Sequence, residues 1–169
     1  MSIVARFQEA LRGVRLLVLD VDGVLTDGRL LYGPKGEQLK AFHVRDGYGI
    51  KQVVEAGITV AIISGRKSAA VARRARDLGI RHVTQGAGDK LAALRKLAKA
   101  RGVPLADCAC VGDDTPDAPI LEAAGLGIAV ADAHPDALAA ANLVTTRAGG
   151  HGAVREVCDW LMAARQGSA

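Results

Sequence analysis

Carboxylates, a hydroxyl and an amine stand beside short apolar runs at four places in this chain. Asp20 and Asp22 follow Arg15–Leu19 in Asp20-Val21-Asp22-Gly23-Val24-Leu25-Thr26, and Ser64 follows Thr59–Ile63 in Ser64-Gly65-Arg66. Lys90 opens an amphipathic stretch, and Asp113, Asp114 and Asp117 follow Cys108–Val111 in Gly112-Asp113-Asp114-Thr115-Pro116-Asp117. This set suits phosphoryl transfer, which needs a nucleophile, a cation for the phosphate oxygens and a proton donor for the leaving oxygen. Carboxylates at i and i+2 of an extended segment point the same way, so Asp20 can attack phosphorus while Asp22 handles the proton. Several carboxylates at one spot repel unless a cation joins them, and hard oxygen ligands favour Mg²⁺. Ser64 can donate to a phosphoryl oxygen, and Lys90 can neutralise developing charge. Plainer roles exist for each: a turn or cap after a strand for Asp20 and Asp22, an N-cap for Ser64, a solvated helix position for Lys90, and a cap beside Pro116 for Asp117.

The elements that must position these groups alternate. Arg15–Leu19, Thr59–Ile63, His82–Thr84, Cys108–Val111, Gly127–Val130 and Leu143–Thr145 read as strands. Between them lie stretches of helical period: Leu91, Leu94, Leu97 and Ala98 within Lys90–Lys99, and Val154, Val157, Cys158, Leu161 and Met162 within His151–Arg165. Near-continuous apolar strands alternating with amphipathic helices predict an α/β fold, a parallel sheet covered on both faces. In such a sheet the site lies at the carboxyl ends of the strands, where the groups above fall. One segment breaks the alternation: Arg29–Tyr32, Gly33-Pro34-Lys35-Gly36 and Glu37–His43 predict a β-hairpin inserted after strand one, over about residues 27–44.

The chain has 169 residues and a mass of 17.5 kDa, of which 50% are hydrophobic and 24% charged. These values predict one ordered domain over 1–169 and exclude disorder. The net charge of +4 is spread along the chain, and the aromatic rings are few: Phe7, Tyr32, Phe42, Tyr48 and Trp160. A nucleic-acid partner is therefore not expected. The longest apolar run, Gly125–Ala131, is far short of the ~20 residues of a membrane span. Arg6, Glu9 and Arg12 interrupt any signal-peptide core, and the odd set Cys108, Cys110 and Cys158 reads as reduced, buried thiols. A cytoplasmic protein without membrane contact is expected.

The four motifs, in this order, resemble those of the haloacid dehalogenase-like phosphatases. Lys40-Ala41-Phe42-His43-Val44-Arg45-Asp46-Gly47-Tyr48-Gly49-Ile50, Ala129-Val130-Ala131-Asp132-Ala133-His134-Pro135 and Gly149-Gly150-His151-Gly152-Ala153-Val154-Arg155-Glu156-Val157 further resemble the capless branch that acts on 3-deoxy-D-manno-octulosonate 8-phosphate, a precursor of lipopolysaccharide. The resemblance runs from about Val14 to Met162. It implies a three-layer, Rossmann-like fold with no separate cap domain. The stretch from Thr26 to Arg45 holds only the hairpin, and that from Arg66 to Lys90 only a helix and a strand.

The resemblance also implies roles. Asp20 would be the nucleophile, forming an aspartyl-phosphate, and Asp22 the acid and base. Mg²⁺ would be held by Asp20, Asp113 and the Asp22 carbonyl, with Asp114 and Asp117 in support. A phosphorylated sugar acid would meet Asp22, Lys90, Arg66, Arg74, Lys51 and the stretch His43, Val44, Arg45, Asp46 and Gly47, in a homotetramer whose neighbouring subunit covers the site. Arg66 and Arg74 also read as surface residues, and His43 as hairpin packing. Ser64 stands where some relatives have Thr, and His43 where they often have Asn. Acylneuraminate or deaminoneuraminate 9-phosphate is the alternative substrate. A phospho-accepting receiver domain and a silent scaffold are readings from other classes.

Overall fold

In a computed structural model that describes residues 3–166, the six apolar runs form a parallel sheet of order β5-β4-β1-β6-β7-β8. Its strands are β1 (Leu16–Leu19), β4 (Thr59–Ser64), β5 (His82–Gln85), β6 (Cys108–Gly112), β7 (Leu126–Ala129) and β8 (Leu143–Val144). The central strands β1 and β6 are buried along their whole length, as a strand covered on both faces must be. The helices are α1 (Ile3–Arg6), α2 (Gln8–Gly13), α3 (Val44–Glu55), α4 (Ala69–Asp77), α5 (Lys90–Arg101), α6 (Ala118–Ala123), α7 (Pro135–Ala140) and α8 (Ala153–Gln166). α3 packs on α8, which also meets α2, while α6 packs between α5 and α7. No helix among the described residues is long and apolar enough to cross a membrane. Cys108, Cys110 and Cys158 are free and buried.

The hairpin is present but shorter than its sequence suggests. Its strands are β2 (Leu31–Gly33) and β3 (Gly36–Leu39), antiparallel, with a register shift at Leu31/Tyr32. The second arm stops at Leu39 instead of running to His43, because His43 is the N-cap of α3: its Nδ1 accepts the Arg45 amide at 3.2 Å. Helix α8 likewise starts at Ala153 and not at His151, since the backbone turns through Gly150 and Gly152 with positive φ before it can become helical.

The packing of α3 on α8 has a polar component. Asp46, in the first turn of α3, is only 1% exposed, and its Oδ1 accepts the Arg155 amide of α8 at 2.7 Å. Burial pushes the Asp46 carboxyl above its usual range, partly offset by that bond. Asp46→Ala leaves the Arg155 amide unpaired, so stability should fall by about 1–3 kcal/mol. A urea unfolding curve reads this as a lowered midpoint at unchanged slope.

Candidate active site

The site is built where the carboxyl ends of β1, β4 and β6 meet the start of α5. Asp20 follows β1, is 5% exposed, and donates its amide to the Val111 carbonyl at 3.1 Å, which ties it to the end of β6. The chain then turns sharply, held by the buried Thr26. Its hydroxyl donates to the Val21 carbonyl at 3.3 Å and accepts the Gly28 amide at 3.2 Å. Gly23 in this turn has φ +93°, and a Cβ there would sit 2.0 Å from Asp113 Oδ2. Only glycine leaves room for the carboxylate to approach.

Ser64 ends β4, is 3% exposed, and accepts the Arg66 amide on Oγ at 3.4 Å, which leaves its proton free for a phosphoryl oxygen. Asp89 caps α5 by accepting the Ala92 amide at 2.9 Å, and this fixes Lys90 at the first helical position. Lys90 Nζ then reaches Asp20 Oδ1 at 2.9 Å and Asp117 Oδ1 at 2.6 Å. Asp117 also accepts the amides of Asp113 and Asp114 on Oδ2, at 3.1 and 3.3 Å. Both of its oxygens are thereby taken. Asp20, Ser64, Lys90, Asp113, Asp114 and Asp117 line a cleft of about 200 Å³, with Asp22, Gly65, Arg66 and Pro116 completing its wall.

The electrostatics follow from burial and crowding. Oxygens of Asp20, Asp113 and Asp117 lie within 4.8 Å of one another. Burial, then the charges of Asp20, Asp117 and Asp114, push the Asp113 carboxyl up to about 8. Burial and Asp117 push Asp20 up to about 6 against the pull of Lys90. Burial alone would lower Lys90, but Asp20 and Asp117 outweigh it and raise its ammonium above the usual range.

These residues fit a divalent cation. Asp20 Oδ1 is buried without a hydrogen bond of good geometry, although Lys90 stands beside it as an ion pair. Asp113 has no cation of its own among the described ion pairs. Asp20 and Asp113 therefore offer open hard oxygens, whereas Asp117 orients Lys90 and the Asp113 backbone.

Asp22 points to the hairpin. Lys40 Nζ bonds its Oδ1, Glu37 Oε1 lies 3.2 Å from the same ammonium, and Arg66 Nε lies 3.7 Å from Asp22 Oδ2. Arg66 is held in turn by the Tyr32 hydroxyl at 2.9 Å and Glu37 Oε2 at 3.1 Å. Lys40, Glu37 and Tyr32 were not among the residues expected from the sequence. The available signal is positional: a hairpin inserted directly after the Asp20–Asp22 turn has to lie over it, so its charged residues face the same carboxylates.

The remaining residues expected near substrate do not line the Asp20 cleft within one chain. His43 and Arg45 line a second, larger cavity of about 650 Å³ with Arg147, His151, Arg155 and Glu156. Asp46 is buried as the brace of α8, and Gly47 is buried beneath Arg74, whose Nη2 would be 2.3 Å from an added Cβ. Arg74 itself stacks over Phe42 at 5.8 Å. Val44 is 77% exposed, Lys51 is exposed, and neither lines the Asp20 cleft.

A family model of haloacid dehalogenase-like hydrolases matches residues 79–157. The 3-deoxy-D-manno-octulosonate 8-phosphate phosphatase KdsC of Escherichia coli K12 is 52% identical over 152 residues, spanning 90% of this chain and 81% of that protein. The chain belongs to this phosphatase family of haloacid dehalogenase-like hydrolases. A family member from Moraxella catarrhalis, solved with a magnesium ion, a phosphate ion and a KDO molecule, superposes with a TM-score of 0.94 at 42% identity, covering 98% of this chain and 94% of that one. The cobalt-bound Haemophilus influenzae member superposes at 0.91 with 43% identity, covering 93% and 92%. This chain is thus a phosphoric monoester hydrolase of the family, with the α/β architecture expected from its sequence.

The raised carboxylates give metal-free stability a definite sign. Asp20 and Asp113 hold protons in the folded state at pH values where the unfolded chain, near 3.8, has lost them. Their contribution is whole below that value and is lost as pH rises through about 6 and then about 8. In chelator, the melting temperature should fall between pH 5 and 9; saturating Mg²⁺ should raise it, most strongly at the alkaline end.

Proposed function

We propose that the chain hydrolyses 3-deoxy-D-manno-octulosonate 8-phosphate to the free sugar acid and phosphate through an aspartyl-phosphate on Asp20. The observation that carries this reading is Asp20 itself: a buried carboxylate with an open oxygen, at the floor of a cleft whose other walls supply Ser64, Lys90 and Arg66. Its support on substrate is the 52% identity to a phosphatase named for that ester.

The roles follow from position. Asp20 attacks phosphorus, and Asp22 protonates the leaving sugar oxygen, then takes a proton from the water that cleaves the acyl phosphate. Ser64 donates to a phosphoryl oxygen, and Lys90 offsets the charge that develops on the transferring group. Asp20, Asp113 and the Asp22 carbonyl would hold Mg²⁺, which supplies charge neutralisation for the phosphoryl oxygens. Asp114 and Asp117 brace this set. Arg66, 42% exposed on its side chain, would exchange its contacts with Tyr32 and Glu37 for a bidentate grip on the sugar-acid carboxylate.

We also propose that the chain acts as one capless domain within a cytoplasmic homotetramer. Leu31, Tyr32 and Leu39 of the hairpin are 51, 64 and 65% exposed, and Val44 and Tyr48 at the start of α3 are 77 and 59% exposed. Such apolar surface suits contact with further copies of the chain. A neighbour docked there would bring His43, Val44, Arg45 and Lys51 toward an adjacent cleft and exclude water from it. The buried, fully packed positions of Asp46 and Gly47 fit a supporting role for that stretch.

Two results test this. With Mg²⁺, phosphate release should be faster from octulosonate 8-phosphate than from acylneuraminate 9-phosphate, and Asp20→Asn should lower it by more than about 10³-fold. Preference for the 9-phosphate would reassign the substrate. Sedimentation should give four times the 17.5 kDa chain mass, and Leu31→Asp together with Leu39→Asp should reduce both the mass and the rate.

A further inference from the structure

Lys40 is a lysine withdrawn from water without being part of the motifs that define the chemistry. It lies just past the end of β3, and its side chain is 1% exposed. Its ammonium is shared by two carboxylates, Asp22 Oδ1 and Glu37 Oε1, the latter at 3.2 Å. Glu37 is anchored from behind by Arg66 at 3.1 Å. The ammonium is therefore clamped, and it cannot leave Asp22 for solvent without breaking a partly buried pair. The other oxygen of Asp22 is not engaged in the same way, since Arg66 Nε stands 3.7 Å from Oδ2, beyond hydrogen-bonding distance.

We infer that Lys40 is a positioning residue for the hydrolysis, fixing Oδ1 of Asp22 so that Oδ2 is the oxygen that exchanges protons with the reacting groups. A carboxylate rotates readily about its last torsion and would otherwise present either oxygen. The inference rests on the assignment of Asp22 as acid and base. In the first step the bond from Asp20 to phosphorus forms, the bond from phosphorus to the sugar oxygen breaks, and the proton on Asp22 Oδ2 passes to that oxygen. In the second, water oxygen bonds to phosphorus, the Asp20–phosphorus bond breaks, and a water proton returns to Oδ2. The hairpin would then be part of the catalytic geometry and not only a surface for assembly.

The test uses leaving groups that differ in their need for a proton. A sugar alkoxide must be protonated as it departs, whereas p-nitrophenolate leaves without help. Lys40→Met should lower the single-turnover rate of ester cleavage, which reports the first step alone, by about 10–100-fold on octulosonate 8-phosphate, part of the ~10²–10⁴ available from general acid catalysis. KM should stay within about twofold, and the single-turnover release of p-nitrophenolate from p-nitrophenyl phosphate within about threefold of wild type, on the same general-acid reasoning. Lys40→Arg should recover part of the loss. Equal losses in single-turnover cleavage of both esters, or no loss in either, would overturn the inference. If Lys40→Met does not fold, Glu37→Gln, which loosens the clamp from behind, is read on the same two esters. If wild type releases p-nitrophenol but leaves octulosonate 8-phosphate intact, the substrate assignment fails. The comparison is then made with whichever alkyl phosphate the wild type hydrolyses, and it decides the role of Lys40 on the same criteria.

Discussion

Mutual repulsion among carboxylates gathered at one edge of the sheet governs this site. Oxygens of Asp20, Asp113 and Asp117 fall within 4.8 Å; at that spacing each pair of unit charges costs about 3.5 kcal/mol at an effective dielectric near 20. Lys90 alone bridges two of the three, at 2.9 and 2.6 Å. One ammonium does not balance three carboxylates, so the structure leaves two outcomes: a proton stays on the cluster, or a divalent cation joins it. The raised pKa of Asp113 and of Asp20 expresses the first. A cluster that faces a phosphate ester is served by the second, because a cation also offsets the charge of the phosphoryl oxygens.

Much of the surrounding backbone makes this crowding possible. Gly23 and Gly112 are the two places where an added Cβ would strike Asp113 or Asp117, at 2.0 and 2.4 Å. The parallel register of β1 with β6 sets Asp20 beside the Asp113 loop, and the Asp89 cap sets Lys90. Around this negative centre Lys40 and Glu37 of the hairpin segment join Arg66 and Asp22 in a second, charge-balanced layer. The hairpin thus screens Asp22, beside the carboxylate cluster, from solvent.

The parts of the fold legible in the sequence are those where one residue type has one physical outcome. Strands such as Leu16–Leu19 and Cys108–Gly112 are wholly apolar because both faces are covered, and polar groups at their carboxyl ends then have one edge to occupy. Asp20, Ser64, Lys90 and Asp113 converge for that reason. What was not legible depends on contacts between distant residues. Asp46 is expected against substrate, yet it pairs with an amide 109 positions away and is buried. Lys40 has no assigned role in the sequence, and lysine is rarely buried; two carboxylates, brought to it by the Asp20–Asp22 turn and by Glu37, draw its side chain out of water. Glu37–His43 reads as one hairpin arm, but the cap that α3 requires takes His43 out of it. Arg74 and Gly47 look like separate candidates and are one packing contact.

The claim that this cluster exchanges a proton for a divalent cation is measurable directly. Calorimetric titration of the metal-free protein with Mg²⁺ at pH 7, in two buffers of different ionisation enthalpy, counts the protons released per ion bound. With Asp113 raised to about 8, about one proton should be released, with less released as the pH is raised toward 9. Binding of Mg²⁺ with no proton released at pH 7 would contradict the account, since the carboxylates would then tolerate one another fully ionised without the ion.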